Sequence, residues 1–177
     1  SEDLVKSYKS DLIFIEERGY VLSKDKRIQR VIEVLRALAK LRHGAQLARN
    51  LSDVSPVTVI IGFLDGGNAP FQNIFSPTPE GERVNFNIKR FISVVKDYEN
   101  RILTYEQDGK KQKLPLFIGL RPTVLANEEE LKEALKGAPL KDLVHWRAPD
   151  NSDNFMTPKQ ALEEAAKLVE KAFDTIP

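Results

Sequence analysis

The chain has no cysteine, and only two of its 177 residues are histidine. Without cysteine there are no disulfides, no thiol nucleophiles and no thiolate-bound metals. The two histidines, His43 and His145, stand in neither an HExxH nor an HxH spacing, so neither a metal nor a cofactor is expected. No apolar run approaches the roughly 20 residues that cross a bilayer. Residues 1–10 lack the apolar segment of a signal peptide, and the first residue is Ser rather than Met, as in a trimmed chain. A soluble protein, cytoplasmic or secreted, is the expectation. The net charge of +1 lacks the excess of a dedicated nucleic-acid binder. The charge is uneven, however. Residues 1–50 hold 11 Lys/Arg against 7 Asp/Glu, and residues 126–177 hold 7 against 11.

What is present reads as an α+β domain spanning residues 1–177, a small mixed or antiparallel sheet packed on amphipathic helices. Asp11 to Ser23 has the pattern of a hairpin, with Gly19 for the turn. Asp25 is placed as the cap of a helix whose apolar residues Ile28, Val31, Ile32, Leu35, Leu38 and Leu41 recur with a 3.6-residue period; Gly44 is placed at its end. Ala45 to Leu51 adds a short helical piece. Val57 to Phe63 is β-branched and apolar on both faces, as a central strand is. The Pro- and Gly-containing stretch from Ala69 to Glu82 reads as a loop, and Val84, Phe86 and Ile88 as a half-buried strand. Phe91 to Tyr98 fits either strand or helix. Asp108-Gly109 marks a second hairpin, and Leu114 to Leu120 a buried element. Asn127 and Thr157 each open a capping-box pattern; the first helix stops at Gly137, and the second has Pro158 at its first position.

Several constellations are chemical candidates. His145 could act as a general base with Asp142 or Asp150 orienting it, or it could be a packed or surface histidine. Gly66-Gly67 follows a strand but lacks the spacing of a phosphate-binding loop. Asp150 to Asn154 is rich in oxygen ligands but lacks an EF-hand's glycine and terminal Glu. Glu128, Glu129 and Glu130 suit a helix start as well as acid/base work. Lys26, Arg30, Arg36 and Lys40 form a basic helix face, with Glu33 among them, that could meet phosphate or an acidic partner. In the loop from Asp65 to Gly81, Phe71, Ile74 and Phe75 are candidate partner contacts.

The order hairpin, amphipathic helix, Gly44, Leu47, Leu51 and then the Val57 strand resembles the front half of effector-type zinc metallopeptidases, over residues ~12 to ~135. In that family an approach such as Pro-x-x-Ile-Gly-Leu leads into Ala-His-Glu-Leu-x-His. Here Pro115-Leu116-Phe117-Ile118-Gly119-Leu120 leads into Arg121-Pro122-Thr123-Val124-Leu125-Ala126. In that register Pro122, Thr123 and Ala126 replace both histidines and the glutamate. Pro and Ala have no ligand atom and Thr is no base at neutral pH. The resemblance therefore implies a degenerate relative without the metal centre.

The expected function is a non-enzymatic domain that binds a protein partner, an effector-like protein or a pseudoenzyme. The alternative is a hydrolase or transferase using His145 with nearby Asp and Arg. A third expectation is a nucleic-acid or phosphoinositide contact through the basic helix face, with the steep salt dependence that phosphate contacts bring.

Overall fold

The computed structural model describes residues 11–17, 19–41, 55–66, 69–150 and 152–172. The first hairpin pairs β1 (Leu12–Ile15) with β2 (Gly19–Leu22) in antiparallel register. Gly19, at φ 72°, takes the left-handed conformation that closes the turn. Phe14 and Tyr20 face each other across the strands, rings 5.2 Å apart and edge to face.

Helix α1 (Lys24–Ala39) begins two residues earlier than the Asp25 cap predicts. Ser23 caps it, accepting from the Lys26 N–H, while Asp25 sits in the first turn, where its charge suits the helix dipole. The helix buries Ile28, Ile32, Leu35 and Ala39. It ends short of Gly44, tightening as Lys40 and Leu41 donate to Ala37 and Leu38. Arg42, His43, Gly44 and the proposed helical piece from Ala45 to Leu51 lie outside the described residues.

The main sheet is small and mixed, in the order β3, β8, β9. Strand β3 (Thr58–Ile61) runs antiparallel to β8 (Leu116–Leu120), and β9 (Val144–His145) runs parallel to it. Beyond β9, the Leu120 N–H continues the same edge by donating to Met156. The central strand is therefore β8, all five of whose residues are buried. The Val57 segment, expected at the centre, lies at the sheet edge and is half-buried. β-branched composition reports a pleated, partly covered surface, not a position within the sheet.

Between β3 and β8 lie two further strand pairs and a helix. The stretch expected as a loop contains β4 (Phe75–Pro77), which pairs with β5 (Val84–Phe86). Ile88, expected in that strand, instead starts helix α2 (Ile88–Tyr98), capped by the Asn87 side chain. Phe91 and Val95 are its buried face, which settles the strand-or-helix ambiguity. β6 (Thr104–Gln107) and β7 (Lys110–Lys113) form the second hairpin, with Asp108 and Gly109 both at positive φ, 53° and 71°.

Helix α3 (Glu128–Lys136) shows no capping box. Asn127 occupies the cap position, but its carboxamide is used elsewhere. It accepts from the Phe86 N–H and donates to the Phe86 carbonyl, both at 2.9 Å. Helix α4 (Pro158–Lys171) has the full box between Thr157 and Gln160, with Pro in the first turn.

Side chains of β8 alternate between two cores. Phe117 joins Leu114, the inner face of α1 and Ala161, Leu162, Ala165 and Val169 of α4. Leu116, Ile118 and Leu120 point the other way, into Phe91 and Val95 of α2 and Leu131 and Leu135 of α3. The layers are thus α1 on α4, α4 on the sheet, and α2 with α3 beneath it, an α+β fold.

Gly119 is where α4 comes closest to the sheet. A Cβ there would stand 2.8 Å from both the Ala161 Cβ and the Pro158 Cα, and 2.9 Å from the Thr157 carbonyl oxygen. Two of those three atoms are backbone, so the helix start would have to move. Gly119→Ala is expected to lower stability by about 1–3 kcal/mol, measured by urea unfolding. An unchanged midpoint would show that α4 is not seated by this contact.

Candidate functional site

His145 and Asp142 line one cleft of about 400 Å³. The chain is brought there by the turn after α3. Leu140, wholly buried, anchors that turn, and the N–H groups of Leu140 and Lys141 both donate to Gly137. Lys141 and Asp142 are left on its solvent side. In β9, Val144 turns inward and His145 outward, as strand alternation requires. The cleft wall is apolar, formed by Phe117, Leu135, Val144, Trp146 and Met156. Glu164 of α4 closes the far side.

Asp150 does not join this cleft. It is exposed and accepts a 3.0 Å bond from the Ser152 N–H, a local turn contact. Asp153, in the same oxygen-rich stretch, is held by Lys136 at 3.0 Å and Arg147 at 3.6 Å. Asn151 lies outside the described residues. The expected group of His145, Asp142 and Asp150 is therefore brought together only in part.

The His145 ring keeps solvent contact at the cleft mouth and meets the Phe117 ring edge to face at 5.5 Å. Among the described residues no side chain hydrogen-bonds the imidazole, Asp142 included. A general base is normally oriented by such a bond. Among the described residues no Ser, Thr, Cys or Tyr lines the cleft; the lining side chains of nucleophilic type are Lys136, Lys141, Asp142, His145 and Glu164. Loss of hydration against the apolar wall pushes the His145 pKa below its ordinary value, and the Glu164 carboxylate partly offsets this.

The other sequence candidates scatter. Lys26 pairs with Asp11 at 3.6 Å, and Arg36 pairs with Glu170 of α4 at 2.7 Å, which removes two cations from the basic face of α1. Arg30 and Lys40 are exposed. Ile74 is 0% exposed and packs in the second core, so it offers nothing to a partner. Asn73 takes φ 58°, and the Asn87 N–H donates to the Ile74 carbonyl, which fixes Ile74 where its side chain enters that core. Phe71 is half-buried against Phe91, ring centroids 5.8 Å apart. Phe75, at 36% exposed, is the most accessible of the three and rests edge-on against Phe86. Glu128 and Glu129 are engaged by Lys132 at 3.4 and 2.7 Å. Asp65 and Gly66 form a bend, with the Asp65 carbonyl accepting from Arg101 Nε; Gly67 lies outside the described residues. Residues 121–127 turn rather than form a helix, with Thr123 at φ 67°. Among the described residues no cluster of His, Asp or Glu could hold a metal ion.

One surface was not anticipated. Val31, Val34 and Leu38 are exposed along one flank of α1, Val34 at 57%, and Leu41 is exposed just past its end. Val31 also lines a groove of about 150 Å³, with Ile28, Phe63, Leu103, Leu114 and Val169, and Lys24 and Arg27 at its rim. The clue was in the sequence: the apolar arc of α1 is wider than one packed face needs.

The position of His145 predicts a titration. Because the folded pKa is depressed, the unfolded chain binds the proton more tightly. Stability from this group is full above the ordinary histidine value and falls as pH drops from there through the folded pKa. NMR should place the His145 midpoint below that of a free histidine. Glu164→Gln should lower it further, because the carboxylate favours the charged ring. A midpoint that rises in Glu164→Gln would contradict the assignment.

Comparison of the chain with models of known protein families, with curated proteins and with solved structures finds no match.

Proposed function

We propose that this chain is a non-enzymatic protein-interaction domain that captures an acidic segment with apolar anchors along α1. The carrying observation is the exposed row Val31, Val34, Leu38 and Leu41 opening onto a groove between Lys24 and Arg27. A row from residue 31 to 41 extends about 15 Å along a helix, enough for two or three anchor side chains of a partner helix. The groove has room for one large apolar side chain, the kind of central pocket that concentrates binding energy. Cations at its rim, on the half of the chain with excess positive charge, favour carboxylates beside the anchor. The hairpin adds exposed Ile13, Phe14 and Tyr20, with Phe14 at 62%. In this reading the turn from Arg121 to Ala126 is scaffold, the pseudoenzyme form of the metallopeptidase resemblance.

A synthetic amphipathic helix with leucines at i, i+4 and i+7, flanked by glutamates, is the probe. Fluorescence anisotropy should show saturable binding that weakens with added salt. Val31→Asp and Val34→Asp should each weaken it about tenfold or more, an effect of at least ~1.4 kcal/mol. Phe75→Ala should leave it unchanged. Equal affinity in the α1 variants, or loss only in Phe75→Ala, would move the interaction elsewhere.

A further inference from the structure

The cleft at His145 carries an inference beyond the protein-binding reading and independent of it. Its charged groups fall into two sets. Lys136 is committed to Glu133 and Asp153, each at 3.0 Å. Arg147 lies 3.6 Å from Asp153 and stacks over Trp146 at 5.1 Å, and Glu164 is held by Lys167 at 2.8 Å. Lys141, Asp142 and His145 form the second set. Among the described residues none of these three side chains has a hydrogen-bond or ion-pair partner, yet all three line the same cleft.

A cation, an anion and a polar ring, all uncommitted around an apolar wall, define what would complete them. A ligand of one charge sign would satisfy Lys141 or Asp142 and leave the other facing its like or nothing. A neutral apolar ligand would desolvate both without replacing their water. We infer that the cleft binds a small zwitterion, an ammonium and a carboxylate on an apolar body, the chemistry of a free apolar amino acid. Asp142 receives the ammonium, Lys141 the carboxylate, and Phe117, Val144, Trp146 and Met156 face the apolar body. Neutral His145 has one N–H to give and one nitrogen to accept, so it can bond either end. The volume of about 400 Å³ lies in the lower part of the range for small-molecule sites, ~300–1,000 Å³.

The wall contains the chain's one tryptophan, Trp146, so the ligand has a built-in reporter. The experiment titrates the full chain with L-leucine, which does not fluoresce, and follows Trp146 emission and the His145 ring protons by NMR. Saturable change in both is expected at millimolar leucine. N-acetyl-leucine, lacking the ammonium, and leucinamide, lacking the carboxylate, should each bind about tenfold more weakly or worse. Asp142→Asn and Lys141→Gln should reduce leucine binding similarly. Both positions are exposed on a turn, and thermal unfolding checks that each variant is folded. Asp142→Asn should no longer distinguish leucine from N-acetyl-leucine, a signature that a purely structural role would not produce. Val34→Asp should not alter leucine binding, so failure here and failure of the α1 surface are separate results. No saturable change at millimolar leucine, or equal affinity for leucine and both analogues, overturns the inference.

Discussion

A strand of five residues with no exposed position has to be covered from both sides at once, and most of this fold follows from how β8 meets that requirement. Leu116, Ile118 and Leu120 need a layer beneath them, which α2 and α3 supply. Phe117 needs a layer above, which α4 supplies with α1 behind it. Burying five consecutive residues gains roughly the transfer energy of four large apolar side chains, ~1.5–3 kcal/mol each. That gain is available only if every N–H and C=O of the strand is bonded. β3 answers one edge, and β9 together with Met156 answers the other. The chain gathers β3, β9, α2, α3 and α4 around one strand, so neither core exists until residues far apart in sequence have met.

Gly119 is the geometric counterpart of that constraint. Two large side chains on the upper face of β8 would hold α4 away from the sheet. With Phe117 and a glycine, the capped start of α4 comes close to the strand, and Thr157 and Pro158 lie against Gly119. The capping box of α4 therefore does more than satisfy its free N–H groups. Its reciprocal hydrogen bonds lie in the turn that touches the strand. Helix α1 then packs on α4 rather than on the sheet, which leaves its own flank uncovered. The exposed row from Val31 to Leu41 is a consequence of this stacking.

Features decided within a few residues were legible in the sequence. Gly19 and Asp108-Gly109 announced their hairpins, Thr157-Pro158 its helix, and Leu114 to Leu120 its burial, because each depends on local backbone chemistry or on an unbroken apolar run. What failed was settled by distant partners. The strand propensity of Val57 to Phe63 was real, but its edge position depends on where β9 arrives. Asn127 had the right identity for a cap, yet Phe86, 41 residues earlier, claimed its carboxamide. Ile74 looked like a loop residue until Asn73 turned it into the second core. The cleft could be read only in part. His145 and Asp142 are neighbours in sequence, but Phe117 and Glu164 come from other elements. Ser23 is a different kind of miss. It caps the helix that the sequence pattern opens at Asp25, because its hydroxyl, not the Asp25 carboxylate, accepts from the Lys26 N–H.

The groove and the cleft share a wall. Leu114 lines the groove beside α1, and Phe117, three residues on, lines the cleft beside His145. Adjacency of this kind invites an allosteric reading, but coupling needs an element with two discrete arrangements that both sites bias. The segment from Leu114 to Leu120 is a poor one. It is buried on both faces, bonded along both edges and pressed by the start of α4 at Gly119. Shifting it by one residue would exchange its two faces, putting Phe117 into the lower core and Leu116 and Ile118 against α4. A close-packed core does not accommodate that exchange in small steps. The strand that brings the two surfaces within three residues of each other is therefore also the barrier that keeps them energetically separate. The two proposed events, a ligand in the cleft and capture along α1, should therefore be independent and additive.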